Sequence, residues 1–164
     1  MIGVIFMMPA VSQADSFQSY VPEAQKVGEG RLTYLFWDVY DAELYAPKGS
    51  LSLDKPFALK LSYLRPIPGK KIADRSIEEM RAQGVEDEIK LATWHEQMNR
   101  IFPDVDQGVD LTGVYTSKGE TVFYQGSTVI GKIKDKEFSR AFFDIWLSEQ
   151  TSAPDLRKKL LGQV

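Results

Sequence analysis

The chain has 164 residues, 43% hydrophobic and 26% charged, enough for one domain with a sizeable core and unlike a disordered chain. Its 20 basic and 23 acidic residues are interspersed at a net charge of −3, so no basic stripe points to nucleic acid or an anionic membrane. The absence of cysteine excludes disulfides and thiolate chemistry.

Residues 1–14, MIGVIFMMPAVSQA, carry no charge, and Ile2–Met8 is almost wholly apolar. Ser12-Gln13-Ala14 places small residues where a signal peptidase reads them, which predicts a leader removed after Ala14 and a single domain over 15–164. The expected location is then the periplasm, with the cytoplasm as the alternative. The start lacks the usual Lys or Arg, so a start further upstream or a buried strand stays open. The apolar run is too short to span a bilayer.

Lys26–Phe36 and Trp37–Ala46, rich in Tyr, Phe, Val and Leu, read as two strands meeting near Trp37–Asp38. Phe57, Leu59, Leu61 and Tyr63 alternate with Ala58, Lys60 and Ser62, the period of a strand with one buried face. Pro66, Pro68 and Gly69 end it. A helix follows with Ile72, Ile77 and Met80 on its apolar side, Arg75 and Glu79 spaced to pair, and a stop at Gly84. Leu91, Trp94, Met98, Ile101 and Phe102 mark a second helix ended by Pro103.

Residues 109–133 return to strands, with Lys118-Gly119 and Gly126-Ser127 as hairpin signals. From about Lys136, Phe138, Ala141, Phe142, Ile145 and Trp146 give the clearest amphipathic pattern of the chain, followed by a Pro-marked turn and a short basic helix. Strands, two helices, strands and terminal helices predict an α+β fold: an antiparallel sheet with a layer of helices on one face.

Few side chains offer catalytic chemistry. His95 has no second His or Cys with which to hold zinc and no serine at a nucleophile elbow, so it reads as structural or surface. Asp104, Asp106 and Asp110 surround Gly108 in FPDVDQGVD but lack the distal Glu of a calcium loop, and they read as a helix-to-strand turn. Gly28-Glu29-Gly30 lacks the third glycine and following helix of a dinucleotide fingerprint, so glycine there is expected to permit a turn or close backbone packing. No cofactor and no metal are expected.

Three blocks in order, VGEGRLTYLFWDVYDAELYAP (27–47), FALKLSYLRPIPGKKIADRSIEEM (57–80) and EFSRAFFDIWLSEQTSAPDLRKKLLG (137–162), resemble the chalcone isomerase-like family, its bacterial exported branch more than the plant enzymes. The resemblance implies an open-faced β-sandwich with a helical layer. The plant enzymes close a phenolic chalcone into a flavanone, using an arginine, a threonine, a tyrosine, an asparagine and a second Thr or Ser. Matching those positions puts the first threonine at Leu35, the tyrosine at Ile72, the asparagine at Glu79 and the final Thr/Ser at Ile145. Aliphatic side chains donate no hydrogen bond, and losing one oxyanion donor costs about 3 kcal/mol of barrier, so isomerase chemistry of the plant type is not expected.

The family's arginine falls within one residue of Arg31. Non-catalytic relatives use such an arginine with a tyrosine to hold a fatty-acid carboxylate, and Tyr34 and Tyr63 are the tyrosine candidates here. Residues 31 and 34 point to opposite faces of a strand unless a bulge intervenes. Arg65, just before the proline turn, is a weaker candidate. The expectation is a non-catalytic binder of a small hydrophobic molecule such as a fatty acid, with Arg31, Tyr34, Leu35, Tyr63, Ile72 and Ile145 as ligand residues. The alternatives are an isomerase-type lyase and a structural or interaction module of the envelope.

Overall fold

The computed structural model describes residues 17–163. The expected leader and its cleavage point lie outside them. β1 (Ala24–Tyr34), β2 (Trp37–Pro47), β3 (Phe57–Tyr63), β4 (Asp110–Tyr115), β5 (Thr121–Gln125) and β6 (Thr128–Ile133) form a six-stranded antiparallel sheet in chain order. Between β3 and β4 come α1 (Gly69–Ala82) and α2 (Glu88–Ile101); after β6 come α3 (Lys136–Leu147) and α4 (Pro154–Leu160). This is the expected α+β architecture.

The alternation expected of β3 holds: Phe57, Leu59, Leu61 and Tyr63 join the main core, as do Tyr40, Ala42, Leu44 and Ala46 of β2. That face receives Ile77 and Met80 of α1, Trp94 and Met98 of α2, and the aromatic stripe of α3. Phe138, Phe142 and Trp146 follow one another along α3, and Phe142 meets Phe123 of β5 edge-on at 5.2 Å. The opposite face carries a smaller cluster in which Phe17 and Val21 cover Ala58, Val114, Val122 and Tyr124.

Local chemistry sets the helix ends. Asp87 caps α2 by accepting from the amides of Ile89 and Lys90, and Asp135 caps α3 by accepting from Glu137 and Phe138. The turn between β1 and β2 corrects the expectation: it lies at Leu35–Phe36, not near Trp37–Asp38, because Tyr34 pairs with Trp37. Pairing then steps from Thr33↔Asp38 to Leu32↔Tyr40, leaving Val39 as a bulge on β2.

Gly28 and Gly30 admit α4, the close backbone packing expected of them. A Cβ on Gly28 would stand 2.0 Å from the carbonyl oxygen of Lys159, and one on Gly30 would stand 2.9 Å from Leu156. Only glycine lets the helix lie this close to the edge strand.

Candidate functional site

A cavity of about 800 Å³ lies between the helix-facing side of the sheet and helices α1, α3 and α4. Leu59, Leu61, Leu111 and Phe123 contribute from the sheet, Phe142, Ile145 and Trp146 from α3, and Leu156 from α4. The alternation of β2 and β3 aims these side chains at the helices, and the spacing of α3 aims its own back at the sheet.

Polar groups also line the cavity, among them a buried set contributed by β2, β3, α1 and α3. Trp146 donates its indole N–H to the hydroxyl of Tyr40 at 2.8 Å, and the Tyr40 and Tyr63 rings meet edge to face at 5.7 Å. Burial pushes the Tyr40 phenol up to about 12, and burial likewise pushes Tyr63 up. The charges of Glu79 and Arg75 act on Tyr40, so α1 brings them to the same end. Glu79 is buried, bound by Arg75 at 2.6 Å and by the Ser152 hydroxyl at 2.8 Å. The spacing of Arg75 and Glu79 had predicted this pair.

Tyr63 differs from its neighbour. It is 3% exposed, lines the cavity, and its hydroxyl makes no hydrogen bond among the described residues. No fully enclosed side-chain oxygen or nitrogen among them lacks a partner. The Tyr63 hydroxyl therefore opens on the cavity, a polar group without a protein partner in an apolar space.

Of the residues expected at the site, Arg31, Tyr34, Tyr63, Ile72 and Ile145 line this cavity. Leu35 does not: it occupies the β1–β2 turn, 73% exposed. The residue of this hairpin that reaches deepest is Tyr40, 8% exposed. Its signal lay in the alternation Tyr40, Ala42, Leu44, Ala46, because a core-facing tyrosine needs a partner for its hydroxyl. Arg75 and Trp146 were not assigned to the site from sequence either, although the cavity takes in both.

Arg31 borders the cavity, but its guanidinium is engaged on the sheet face that carries Asp41, opposite the helix-facing Tyr40 and Ala42. Its Nε and Nη2 donate to Asp41 at 2.7 and 3.1 Å, and its Nη1 donates to Asp38 at 3.2 Å. Tyr34 instead turns its ring toward Arg75, whose guanidinium carbon lies 5.6 Å from the ring centre. Arg65 lies over the Trp37 ring at 4.1 Å.

The other candidates have structural tasks. His95 Nε2 lies 2.6 Å from Asp74, linking α2 to α1. Asp104 accepts from the amide of Gly69 at the start of α1, Asp106 accepts from the amide of Gln107, and Asp110 pairs with Lys60. Among the described residues no cluster of His, Cys, Asp and Glu could hold a metal ion, and no helix is long and apolar enough to cross a membrane.

Comparison with known proteins agrees with this architecture. An uncharacterized protein of Haemophilus influenzae is 28% identical over 151 residues, covering 90% of this chain and 74% of that protein. The crystal structure of a fatty-acid binding protein of Arabidopsis thaliana superposes with a TM-score of 0.67 at 12% identity, covering 86% of this chain and 88% of that one. The family model described as chalcone isomerase-like matches residues 13–162. The chain, with its antiparallel sheet, one-sided helical layer and interlayer cavity, belongs to the chalcone isomerase-like family.

Proposed function

We propose that this protein is a non-catalytic binding protein of the cell envelope that holds a small hydrophobic ligand, such as a fatty acid, between its sheet and its helices. The observation that carries the reading is the cavity: about 800 Å³, walled largely by aliphatic and aromatic side chains, with Tyr40, Tyr63, Arg75 and Glu79 among its polar groups. Its size and lining match those of pockets that bury small apolar ligands. Ile72 and Ile145, aliphatic at positions matched to polar groups of the enzymes, support binding rather than isomerisation. The shared fold with a fatty-acid binding protein supports it further.

Each buried methylene contributes about 0.8 kcal/mol before ordering costs, so a chain of about ten carbons reaches micromolar affinity when those costs are small. The head group is placed at the Tyr63 hydroxyl and Arg75. The Arg75 guanidinium, paired closely with Glu79 and at 3.8 Å with Glu78, has five N–H donors, and those it does not direct at these carboxylates can meet an acid. Arg31 spends its donors on Asp41 and Asp38, on the sheet face opposite the helices.

Titration with dodecanoic acid tests the reading, together with native mass spectrometry of protein purified from its own host. Saturable micromolar binding that Leu61→Trp abolishes without unfolding the chain is expected. Absence of binding by the unaltered protein would refute it and favour a structural module. Export is proposed on the apolar start and Ser12-Gln13-Ala14. N-terminal sequencing of periplasmic protein should begin at Asp15, and an intact Met1 in the cytosol would overturn it.

A further inference from the structure

The β1–β2 hairpin ends in four consecutive large apolar or aromatic side chains that solvent surrounds. Tyr34 is 56% exposed, Leu35 73%, Phe36 98% and Trp37 58%. Two-residue hairpin loops favour turns whose first central residue has a positive φ, and glycine or asparagine is the usual choice. This chain has Leu35 there at a φ of 55°, a conformation that costs an L-residue roughly 1–2 kcal/mol. Phe36 follows with almost all its surface in water. Neither local conformation nor burial accounts for leucine and phenylalanine at these two positions.

The surroundings indicate what the tip meets. Arg65 stacks on Trp37 and has no carboxylate partner among the described residues. Lys71, which lines the same cavity as Tyr34, has none either. The acidic residue next to the tip, Asp38, is already held by Arg31 and Thr33. No run of basic residues announces this in the sequence; folding carries Arg65 onto Trp37 and Lys71 to the cavity that Tyr34 also lines. Tyr and Trp, with one apolar and one polar edge, suit the water–lipid boundary.

We propose that the tip at residues 34–37 docks on an anionic lipid surface. Leu35 and Phe36 enter the acyl region, Tyr34 and Trp37 lie at headgroup level, and Arg65 and Lys71 face the phosphates. A narrow finger presents far less surface than the roughly 800 Å² per partner of a stable protein interface, whereas a bilayer admits one readily. The exposed face of β1 and β2 behind the tip is charged, with Arg31–Asp41 and Lys26–Glu43 pairs, and would not extend an apolar contact. Because Tyr34 and Thr33 also line the cavity, docking turns its rim toward the membrane. The inference rests on the tip and is independent of what the cavity holds.

The protein carries its own reporter, because Trp37 is exposed while Trp94 and Trp146 are 3% and 8% exposed. Vesicles of phosphatidylethanolamine and phosphatidylglycerol should shift its tryptophan emission to the blue and sediment the full chain. Phosphatidylcholine vesicles should do so at least tenfold less well. Phe36→Ser combined with Leu35→Gly should lower vesicle affinity at least tenfold without lowering the thermal transition and with the dodecanoic acid titration unchanged. Leu35→Gly relieves the turn, so Phe36→Ser alone serves as a second variant free of that change. Arg65→Gln with Lys71→Gln should weaken binding severalfold and flatten its salt dependence. The proposal is overturned if the unaltered chain ignores anionic vesicles, if the tip variants bind them undiminished, or if the tip instead mediates a lipid-free dimer that Phe36→Ser dissolves.

Discussion

The indole N–H of Trp146 meets the hydroxyl of Tyr40 at 2.8 Å, joining α3 to β2 through two buried side chains 106 positions apart. The bond fixes α3 over the sheet at the polar end of the cavity. Trp146→Phe removes the donor and part of the packing, and should cost about 1–3 kcal/mol in urea denaturation.

The same tyrosine makes stability sensitive to alkali. Burial raises the Tyr40 phenol from 10.0 to about 12. Below pH 10 both folded and unfolded chains keep this proton, and its contribution to stability is fully present. Above that, the unfolded chain releases it first, so the contribution is lost as pH rises from 10 to about 12. The loss is on the order of 2–3 kcal/mol for Tyr40, and Tyr63, also raised, adds to it. Urea denaturation across this interval should show the fall, and Tyr40→Phe should make it shallower.

Gly28 is where the edge strand touches α4. With a Cβ only 2.0 Å from the Lys159 carbonyl oxygen, Gly28→Ala must push the terminal helix outward. A destabilisation of about 1–3 kcal/mol is expected in the thermal transition. Hydrogen exchange should accelerate in residues 154–160 before the central strands. Uniform acceleration would deny that α4 is the element displaced.

Arg75 and Arg31 separate by ligand charge. Arg75→Ala should weaken dodecanoic acid about tenfold or more and leave its methyl ester nearly unchanged, because a charge-assisted hydrogen bond contributes roughly 1.5–3 kcal/mol. Arg31→Ala should have a smaller effect, since its guanidinium already serves Asp41 and Asp38. Isothermal titration with both ligands distinguishes the two. A larger loss at Arg31 than at Arg75 would give the anchoring role to Arg31, as the sequence resemblance implied.

Chalcone cyclisation should not exceed its spontaneous rate. Ile72 and Ile145 line the cavity without a donor, and Leu35 lies outside it. The absorbance of a hydroxychalcone should decay equally with and without protein. Saturable, heat-sensitive acceleration of about a thousandfold, worth roughly 4 kcal/mol, would establish another donor set in the cavity.

Sequence by itself determined the elements and their buried faces. Leu59, Leu61 and Tyr63 alternate, Phe138, Phe142 and Trp146 recur at helical spacing, and Pro103 stops α2 at Ile101. These are properties of neighbouring residues along one chain direction, and period and punctuation record them directly. Only the tertiary structure decided the site. A one-residue bulge at Val39 sets which side chains of β2 face the helices, and no local signal marked it. Whether Tyr63 finds a hydrogen-bond partner, which face of the sheet holds the Arg31 guanidinium, and whether Leu35 lies in a cleft or on a tip all depend on how separate strands and helices are brought together. Periodicity tells which way a side chain points, and the packed layers determine what it meets.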